Sequence, residues 1–283
     1  MSSERTSIDQ SNLSLIELNG LKIRVYDSSK RYSYQTPLTM IFLHGSPGQI
    51  SNWKYQISYF EGKYRVIAYD QRGYGGSDKP VEVTLKDYLD DLTSLLSKLD
   101  ISAEDAVLIG HSFGGMVAQA YARDHVIKGL VLIGSLVKTK PDIIDKIIWH
   151  LPPIFWRRLF FTENPFTRKM YRDLFFSPST PDEIFEEFLE DNKEYLESLP
   201  AHVFRYMKFF KDYDASNWLS EVNAPTLIIV GEDDKVTPKD ESIKIHELLP
   251  NSRLVILEKA GHLVLYERAG DLNKLIDEFI KEL

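Results

Sequence analysis

The chain contains no cysteine among its 283 residues. Without thiols it has no disulfide, no thiolate zinc site, no iron–sulfur cluster and no cysteine nucleophile. Basic residues are outnumbered: 34 Lys and Arg stand against 42 Asp and Glu, which gives a net charge of −8 with neutral histidines. Because no run of Lys and Arg offers a local attraction for phosphate backbones, we expect no nucleic-acid partner.

Long apolar runs and targeting signals are also missing. The best candidate for a membrane span, 143–161, is interrupted by charged residues and prolines, whereas a span needs about 20 apolar residues. Residues 1–12 are polar and lack the apolar region of a secretory signal. Hydrophobic residues make up 43% of the chain and charged residues 27%, so we expect a cytoplasmic globular protein with a large core and no membrane span.

Short apolar runs alternate with longer amphipathic stretches along most of the chain. The apolar runs predict strands at 13–18, 21–26, 38–43, 64–69, 106–109, 129–133, 226–230 and 253–257. The amphipathic stretches predict helices at 84–99, 113–123, 240–249 and 268–283. Thr84 and Asp87 form a candidate N-cap pair for the first helix, and Asn19-Gly20 predicts a hairpin turn. The alternation indicates an α/β fold with a mostly parallel sheet covered by helices on both faces.

This alternation stops at 138–216, which has several prolines, helical spacings and half of the chain's aromatic residues. Such an excess of aromatic side chains requires burial. The stretch is therefore either a helical subdomain with its own small core or a cap whose aromatic underside covers a pocket, or both. Candidate pocket residues within it are Trp149, Phe155, Trp156, Phe204 and Phe209.

The sequence Gly-His-Ser-Phe-Gly at 110–114 is the only G-x-S-x-G motif in the chain. It follows the predicted strand 106–109 and opens the predicted helix 113–123, which is the strand–turn–helix context of a nucleophile elbow. The flanking glycines allow the close backbone approach that a strained turn requires. The motif therefore predicts Ser112 as a nucleophile.

Two other glycine patterns do not fit nucleotide binding. Residues 110–115 match the first half of a P-loop, but Met116 and Val117 stand where Lys and Ser or Thr are required. Gly73 and Gly75 follow a predicted strand, but Asp78 replaces the third glycine of a dinucleotide-binding motif. Nucleotide binding is therefore disfavoured. The sequence implies no metal and no organic cofactor.

A serine nucleophile needs a base and a carboxylate that orients this base. His262 lies just beyond the last predicted strand, so a parallel sheet brings it to the same edge as Ser112. Asp233 and Asp234 follow the strand 226–230 and are both candidates for the carboxylate. The order Ser, Asp, His along the chain is the order that hydrolases of this topology use.

An oxyanion hole requires backbone N–H groups where negative charge develops. The amide of Phe113, directly after the nucleophile, is one expected donor. The second is expected from the glycine-rich loop after the strand 38–43, where Ser46 is the candidate. Pro47 restricts this loop and is a candidate for a cis bond. His44 is expected to hold the loop by hydrogen bonds.

Taken together, these motifs resemble those of the α/β-hydrolase fold superfamily over nearly the full chain. The resemblance rests on five segments: 44–48, 70–77, 110–115, 231–238 and Gly261-His262. It implies an eight-stranded, mostly parallel sheet with a helical cap inserted after the sixth strand. The expected domains are therefore a core at 1–137 and 217–283 and a cap at 138–216. The resemblance also selects Asp234 as the acid, with Asp233 as second choice, and makes 70–77 a structural turn.

This sequence differs from the motifs of several subfamilies, and these differences reduce the number of reactions that fit it. Epoxide hydrolases and haloalkane dehalogenases of this superfamily have an aspartate where Ser112 stands, which disfavours both activities. Proline iminopeptidases resemble the chain at 44–48 and 70–77, but they typically have a glycine where His111 stands. Carbon–carbon bond hydrolases share the serine triad and a helical cap, and no motif here is diagnostic for them.

The sequence therefore predicts a serine carboxylesterase-like hydrolase acting on small to medium apolar esters through an acyl-enzyme on Ser112. A proline iminopeptidase-like peptidase would need an acidic group in the cap for the substrate amine, for which the candidates are Glu163, Glu186, Glu187 and Glu190. A carbon–carbon bond hydrolase and a non-catalytic ligand receptor are also compatible with these motifs. The expected partner is a small-molecule substrate, and the sequence does not indicate an oligomeric state.

Overall fold

The computed structural model describes residues 6–139 and 162–283. The described residues form one eight-stranded sheet with the strand order β1-β2-β4-β3-β5-β6-β7-β8. The strands are β1 (Leu13–Leu18), β2 (Leu21–Asp27), β3 (Thr39–Leu43), β4 (Arg65–Tyr69), β5 (Ala106–His111), β6 (Gly129–Ile133), β7 (Thr226–Gly231) and β8 (Ser252–Leu257). All eight predicted strands are confirmed.

The pairing of the strands makes the sheet mostly parallel, as predicted. Strand β2 pairs antiparallel with β1 and with β4, and every other neighbouring pair is parallel. Asn19 and Gly20 form the hairpin turn with φ angles of 51° and 79°. Positive φ at both central residues matches the right-handed twist of the two strands, so the predicted turn is confirmed.

Nine α-helices are present in the described residues: α1 (Lys54–Phe60), α2 (Leu85–Lys98), α3 (Phe113–Asp124), α4 (Pro165–Phe175), α5 (Asp182–Ser198), α6 (Tyr206–Phe209), α7 (Lys239–Leu248), α8 (Val264–Glu267) and α9 (Ala269–Glu282). The four predicted helices correspond to α2, α3, α7 and α9. The N-cap of α2 is also confirmed, because Thr84 and Asp87 each accept the other's backbone N–H. None of the described helices has the length and apolar character needed to cross a membrane.

The helices lie on both faces of the sheet. From β3 the chain crosses to β4 in one direction, and from β4 it crosses to β5 in the other. Because such crossovers are right-handed, α1 and α2 lie on opposite faces. Helix α3 packs beside α2, and α9 packs beside α1. The direction of winding thus reverses between β3 and β5, and ligands bind outside the carboxyl ends of parallel strands at such a switch point.

The central strands form the core of the molecule. Every residue of β3, β5, β6 and β7 is buried, whereas the edge strands β1 and β8 alternate between covered and exposed positions. Burial on both faces explains why the central strands read as continuous apolar runs. The loops at their carboxyl ends therefore extend from the most buried strands of the sheet.

The chain between β6 and β7 leaves the sheet and returns at nearly the same place. Lys138 and Asp214 form an isolated antiparallel bridge, and the amide of Ala215 donates to the carbonyl of Val137 at 2.8 Å. Within the described part, 162–216, this segment contains α4, α5 and α6 and no strand of the sheet. Trp149, Phe155 and Trp156 lie outside the described residues.

Candidate active site

Ser112 forms the turn between strand β5 and helix α3. Its backbone has φ 52° and ψ −117°, a left-handed conformation that costs a residue other than glycine about 1–3 kcal/mol. The amide of Ser112 donates to the carbonyl of Ile133 at 2.9 Å, and the hydroxyl of Ser135 donates to the carbonyl of Ser112 at 3.2 Å. These bonds on both sides of the residue hold the strained turn.

Gly114 allows this turn to lie close to the neighbouring strand. A Cβ atom at position 114 would lie 2.1 Å from the carbonyl oxygen of Leu43, the last residue of β3. No side chain fits at that distance, so the glycine lets α3 begin against the end of β3. The structure therefore gives a steric reason for a glycine in the motif around Ser112.

His262 and Asp234 meet at the same edge of the sheet. Nδ1 of His262 lies 2.8 Å from Oδ2 of Asp234, and both side chains are buried. Asp234 follows β7 and His262 follows β8, so the two parallel strands bring together residues that are distant in the chain. The carboxylate can orient the imidazole and leave its Nε2 available for proton transfer.

Asp234 is held as an anion by its surroundings. Burial opposes ionisation, but the charge of His262 and the hydrogen bonds from His262 and Thr237 outweigh it and lower the pKa of Asp234. Its Oδ1 accepts the backbone N–H groups of Val236 and Thr237 at 2.9 Å and 2.8 Å. The side chain thus has a single well-defined orientation towards His262.

The neighbouring Asp233 faces a different partner. Its Oδ2 accepts the hydroxyl of Ser177, in the connection between α4 and α5, at 2.6 Å. Glu267 accepts the backbone N–H groups of Ser177 at 2.7 Å and of Gly261 at 2.9 Å. Burial raises the pKa of Glu267 despite these bonds. Glu267 therefore joins the α4–α5 connection to the loop that carries His262, and Asp233 joins it to the loop after β7.

The loop between β3 and the 3-10 helix Ile50–Trp53 lies beside Ser112. As expected from the sequence, the Ser46–Pro47 peptide bond is cis and His44 holds the loop by hydrogen bonds. Nδ1 of His44 donates to the carbonyl of Gly45 at 2.7 Å, and its Nε2 accepts the N–H of Gln71 at 3.0 Å. Burial lowers the pKa of His44, so the ring stays neutral as this bonding requires.

The segment 70–77 packs under this loop, where the resemblance placed a structural turn. Asp70 is fully buried, and its carboxylate accepts the N–H groups of Ile50 and Gly76, each at 2.7 Å. Arg24 pairs with the same carboxylate. A buried carboxylate with this many donors fixes the loop to the core.

Two backbone amides at the site have no acceptor within the described part of the chain. Within the described residues, neither the N–H of Ser46 nor that of Phe113 donates a hydrogen bond. Phe113 is the first residue of α3, where the N–H groups lack intrahelical partners and the helix dipole is positive. Ser46 lines the same cavity as Ser112, and Phe113 directly follows Ser112 in the chain.

A cavity of about 330 Å³ opens above Ser112 and His262. Its walls come from the 44–48 loop, from the loops after β5 and β8, and from the segment between β6 and β7. The wall from that segment is mostly apolar and consists of Met170, Tyr171, Leu174, Phe175, Phe188, Leu196, Val203, Phe204 and Met207. Among the described residues, no Asp, Glu, Lys or Arg side chain lines the cavity.

His111 also lines the cavity, next to Ser112. Burial, reinforced by the neighbouring His262, lowers the pKa of His111 to about 3. The neutral ring donates from Nε2 to the carbonyl of His262 at 2.9 Å. It therefore connects the end of β5 to the loop of His262 without carrying charge.

The structure brings together most of the residues singled out from the sequence. Ser112, Asp234 and His262 lie in one cluster, and Ser46 lines the cavity beside them. Among the aromatic candidates, Phe204 lines the cavity. Phe209 is the last residue of α6, and its side chain lies outside the described part of the structure.

Two residues around Asp234 were missed by sequence reasoning. The hydroxyl of Thr237 contacts Oδ2 of Asp234 and the carbonyl of Gly134, each at 2.8 Å. Gly134 has φ 49°, and a Cβ there would lie 3.0 Å from Oδ2 of Asp234. The spacing of Thr237 three residues after Asp234 is a signal of a local side-chain turn. Gly134, by contrast, has no sequence pattern that indicates its place beside Asp234.

Comparisons with known proteins agree with this architecture. The sequence model of the alpha/beta hydrolase fold family matches residues 39–269. Epoxide hydrolase 4 from Homo sapiens is 29% identical over 92% of this chain and 78% of that protein. A proline iminopeptidase from Thermoplasma volcanium is 26% identical over 86% of this chain and 88% of that protein. The solved structure of a thermophilic esterase from Thermogutta terrifontis has a TM-score of 0.78 and 25% identity over 95% of this chain and 97% of that chain.

The chain therefore belongs to the alpha/beta hydrolase fold family. Its relatives are named for different reactions, so membership in the family leaves the substrate open. The choice between these reactions therefore has to be argued from the residues at the site.

Proposed function

We propose that this protein is a serine hydrolase that cleaves carboxylic esters of small to medium apolar substrates. One arrangement carries the proposal: Ser112, in its strained turn, lines the same cavity as His262, whose Nδ1 lies 2.8 Å from Asp234. A serine, a histidine and a buried carboxylate in this order are the components of nucleophilic acyl transfer.

Each residue has a defined role in the proposed reaction. Oγ of Ser112 attacks the ester carbonyl while Nε2 of His262 takes the hydroxyl proton. His262 then returns this proton to the departing alcohol, which leaves an acyl group on Ser112. Water, deprotonated by His262, attacks this acyl group, releases the carboxylic acid and restores the serine. Asp234 stabilises the imidazolium in both steps.

The amides of Ser46 and Phe113 are the proposed oxyanion donors. Both lack an acceptor among the described residues, and Phe113 begins a twelve-residue helix. The negative charge that develops on the carbonyl oxygen would satisfy both N–H groups. Such preorganised donors are worth about 3–4 kcal/mol each in the transition state.

The proposal includes a cap at 138–216 on a core made of 1–137 and 217–283. Three observations support these boundaries. The bridge between Lys138 and Asp214 closes the base of the segment. Its described part contains helices and no strand of the sheet, and residues of α4, α5 and α6 line the cavity.

The lining of the cavity supports a neutral, apolar substrate. A charged substrate group needs a partner, because an unpaired charge buried in an apolar cavity is costly. Among the described residues the lining provides no such partner. Aromatic side chains, methionines and leucines provide dispersion contacts and burial of apolar surface instead.

The same lining argues against an aminopeptidase. Glu163 and Glu187 pair with basic residues, namely Lys193 at 2.6 Å and Lys54 at 2.7 Å. Glu186 pairs with Arg168, and Glu190 is exposed on α5. None of these four glutamates is among the described residues of the cavity wall. Ser112 likewise argues against an epoxide hydrolase, because those enzymes of the superfamily have an aspartate at this position.

Ser112→Ala tests the proposal. We expect p-nitrophenyl ester hydrolysis to fall by about 10³-fold or more, with an unchanged circular dichroism spectrum. A series of acyl chain lengths, run beside aminoacyl arylamides, separates esterase, peptidase and receptor. Arylamide turnover without ester turnover would favour a peptidase, and turnover of neither would favour a receptor. Ester turnover that survives the loss of the Ser112 hydroxyl would contradict the proposal.

A further inference from the structure

Residues from other segments of the chain hold the middle of the 44–49 loop, and one of them is Tyr74, whose hydroxyl lies 2.8 Å from Oγ of Ser46. The loop reads His-Gly-Ser-Pro-Gly-Gln and carries Ser46, whose amide is the proposed oxyanion donor. The core holds the two ends of the loop, because Gln71 donates to His44 at 3.0 Å and Ile50 donates to Asp70 at 2.7 Å. Helix α5 provides further hydrogen bonds to the part of the loop between these two ends.

Helix α5 supplies this support through Tyr195. The side chain of Tyr195 is buried, and its hydroxyl donates to the carbonyl of Gly48 at 2.8 Å. Gly48 is separated from Ser46 by Pro47 alone. The peptide oxygen that accepts this bond is therefore two residues from the amide that would bind the oxyanion.

Asn192, one turn earlier on α5, supports the far side of the same loop. Its Oδ1 accepts the side-chain amides of Asn52 at 3.0 Å and of Gln49 at 3.4 Å. Oδ1 of Asn52 in turn accepts the backbone N–H of Gln49 at 2.8 Å. The amide nitrogen of Asn192 donates to the carbonyl of Phe188 at 2.9 Å, which directs its oxygen at the loop.

The same face of α5 also forms part of the cavity wall, through Phe188 and Leu196. One helix thus lines the cavity for the substrate and also contacts the loop backbone that carries the proposed oxyanion donor. Oxyanion stabilisation depends on donors that are already in place when the charge develops. A displacement of the loop would therefore weaken it even if the cavity kept its shape.

We propose that Tyr195 and Asn192 are positioning residues that hold the Ser46 amide where it can donate a hydrogen bond to the oxyanion. This inference rests on the proposed function. Helix α5 thereby couples the wall of the cavity to the donor. The inference predicts a loss in the chemical step, whereas a role in substrate binding would appear in KM.

Tyr195→Phe removes one hydroxyl and tests this directly. With a p-nitrophenyl ester, we expect kcat to fall about tenfold with KM within about twofold of the wild-type value. A trifluoromethyl ketone, which forms a tetrahedral oxyanion on the serine, should bind about tenfold more weakly. Asn192→Leu should change the same quantities in the same direction.

Tyr55→Phe is the matched control. Tyr55 also joins the core to α5 through its hydroxyl, which donates to Glu187 at 2.6 Å, but it is not among the described residues that line the cavity. This variant should keep the wild-type kcat and inhibitor affinity. Hydrogen exchange over residues 44–53 adds a readout without turnover: exchange should accelerate in Tyr195→Phe and stay unchanged in Tyr55→Phe.

Each outcome is decisive. Wild-type kcat and inhibitor affinity in a folded Tyr195→Phe, or unchanged loop exchange, would overturn the inference and leave the proposed function standing. A raised KM at constant kcat would overturn it as well, because Tyr195 would then serve binding. Ester turnover that persists in Ser112→Ala would overturn the proposed function and the inference with it.

Discussion

Asp234 directs its carboxylate at Nδ1 of His262, 2.8 Å away, from a position fixed by the backbone of its own loop. The adjacent Asp233 turns away and accepts a hydrogen bond from Ser177 at 2.6 Å. Two carboxylates that are equivalent in the sequence thus have separate partners in the fold. One contacts the candidate base, and the other contacts the segment between α4 and α5.

This division predicts different effects of the two isosteric substitutions. Asp234→Asn should lower kcat for esters by about 10⁴-fold, because a neutral amide no longer stabilises the imidazolium or selects its tautomer. Asp233→Asn keeps an oxygen that accepts from Ser177 and should change kcat little. Steady-state kinetics on both variants provides the test, and the reverse ranking would show that Asp233 is the functional acid.

Gly261 offers a test of how closely the segment after α4 approaches His262. A Cβ at position 261 would lie 2.7 Å from the carbonyl oxygen of Phe175 and from the amide nitrogen of Ser177. Because both are backbone atoms, they have no rotamer by which to move aside. Gly261→Ala should therefore lower the free energy of unfolding by about 1–3 kcal/mol and reduce turnover by shifting the loop of His262.

Gly270→Ala is the control for this substitution. Gly270 lies in α9, and apart from the adjacent backbone of this helix a Cβ there would meet no atom within 4 Å. Removing a helical glycine should leave stability unchanged or raise it by up to about 1 kcal/mol. Urea unfolding of the two variants compares them. Equal stabilities would contradict the close approach at Gly261.

His111 should make the stability of the fold depend on pH. Burial lowers its pKa to about 3 from an ordinary value of 6.5. Between these values the unfolded chain binds a proton that the folded protein excludes, so stability falls as the pH drops. The contribution reaches at most about 1.4 kcal/mol per pH unit.

A variant without this histidine should show a flatter profile. His111→Gln keeps a donor for the carbonyl of His262 and removes the titrating ring. Its free energy of unfolding should fall less between pH 6 and pH 4 than that of the wild type, as measured by urea unfolding at each pH. Parallel profiles would mean that His111 already takes up its proton in the folded state.

Local patterns in the sequence were sufficient to predict the strands and the α/β architecture. Strands such as β5 and β7 are buried on both faces, so their apolar character is continuous and visible without any knowledge of their neighbours. The turn at Ser112 is equally local, because its strain requires small residues directly beside it. His262 could be placed because the carboxyl ends of parallel strands meet at one edge of the sheet.

Other parts of the site were decided only by the tertiary structure. The residues alone left Asp233 and Asp234 equivalent, and the resemblance to a known family, not the chemistry of the loop, favoured Asp234. Their partners, His262 and Ser177, come from other segments of the chain. The contact of Tyr195 with Gly48 spans 147 positions in sequence, and no periodicity encodes it.

The sequence by itself thus determined the sheet, the turn at Ser112 and the edge at which the site lies, because each follows from short-range patterns of apolar and small residues. The tertiary structure decided which carboxylate contacts the histidine, how the cavity is lined and what holds the 44–49 loop. Those features depend on how distant segments pack against one another, and packing depends on shapes and distances that a linear pattern does not record.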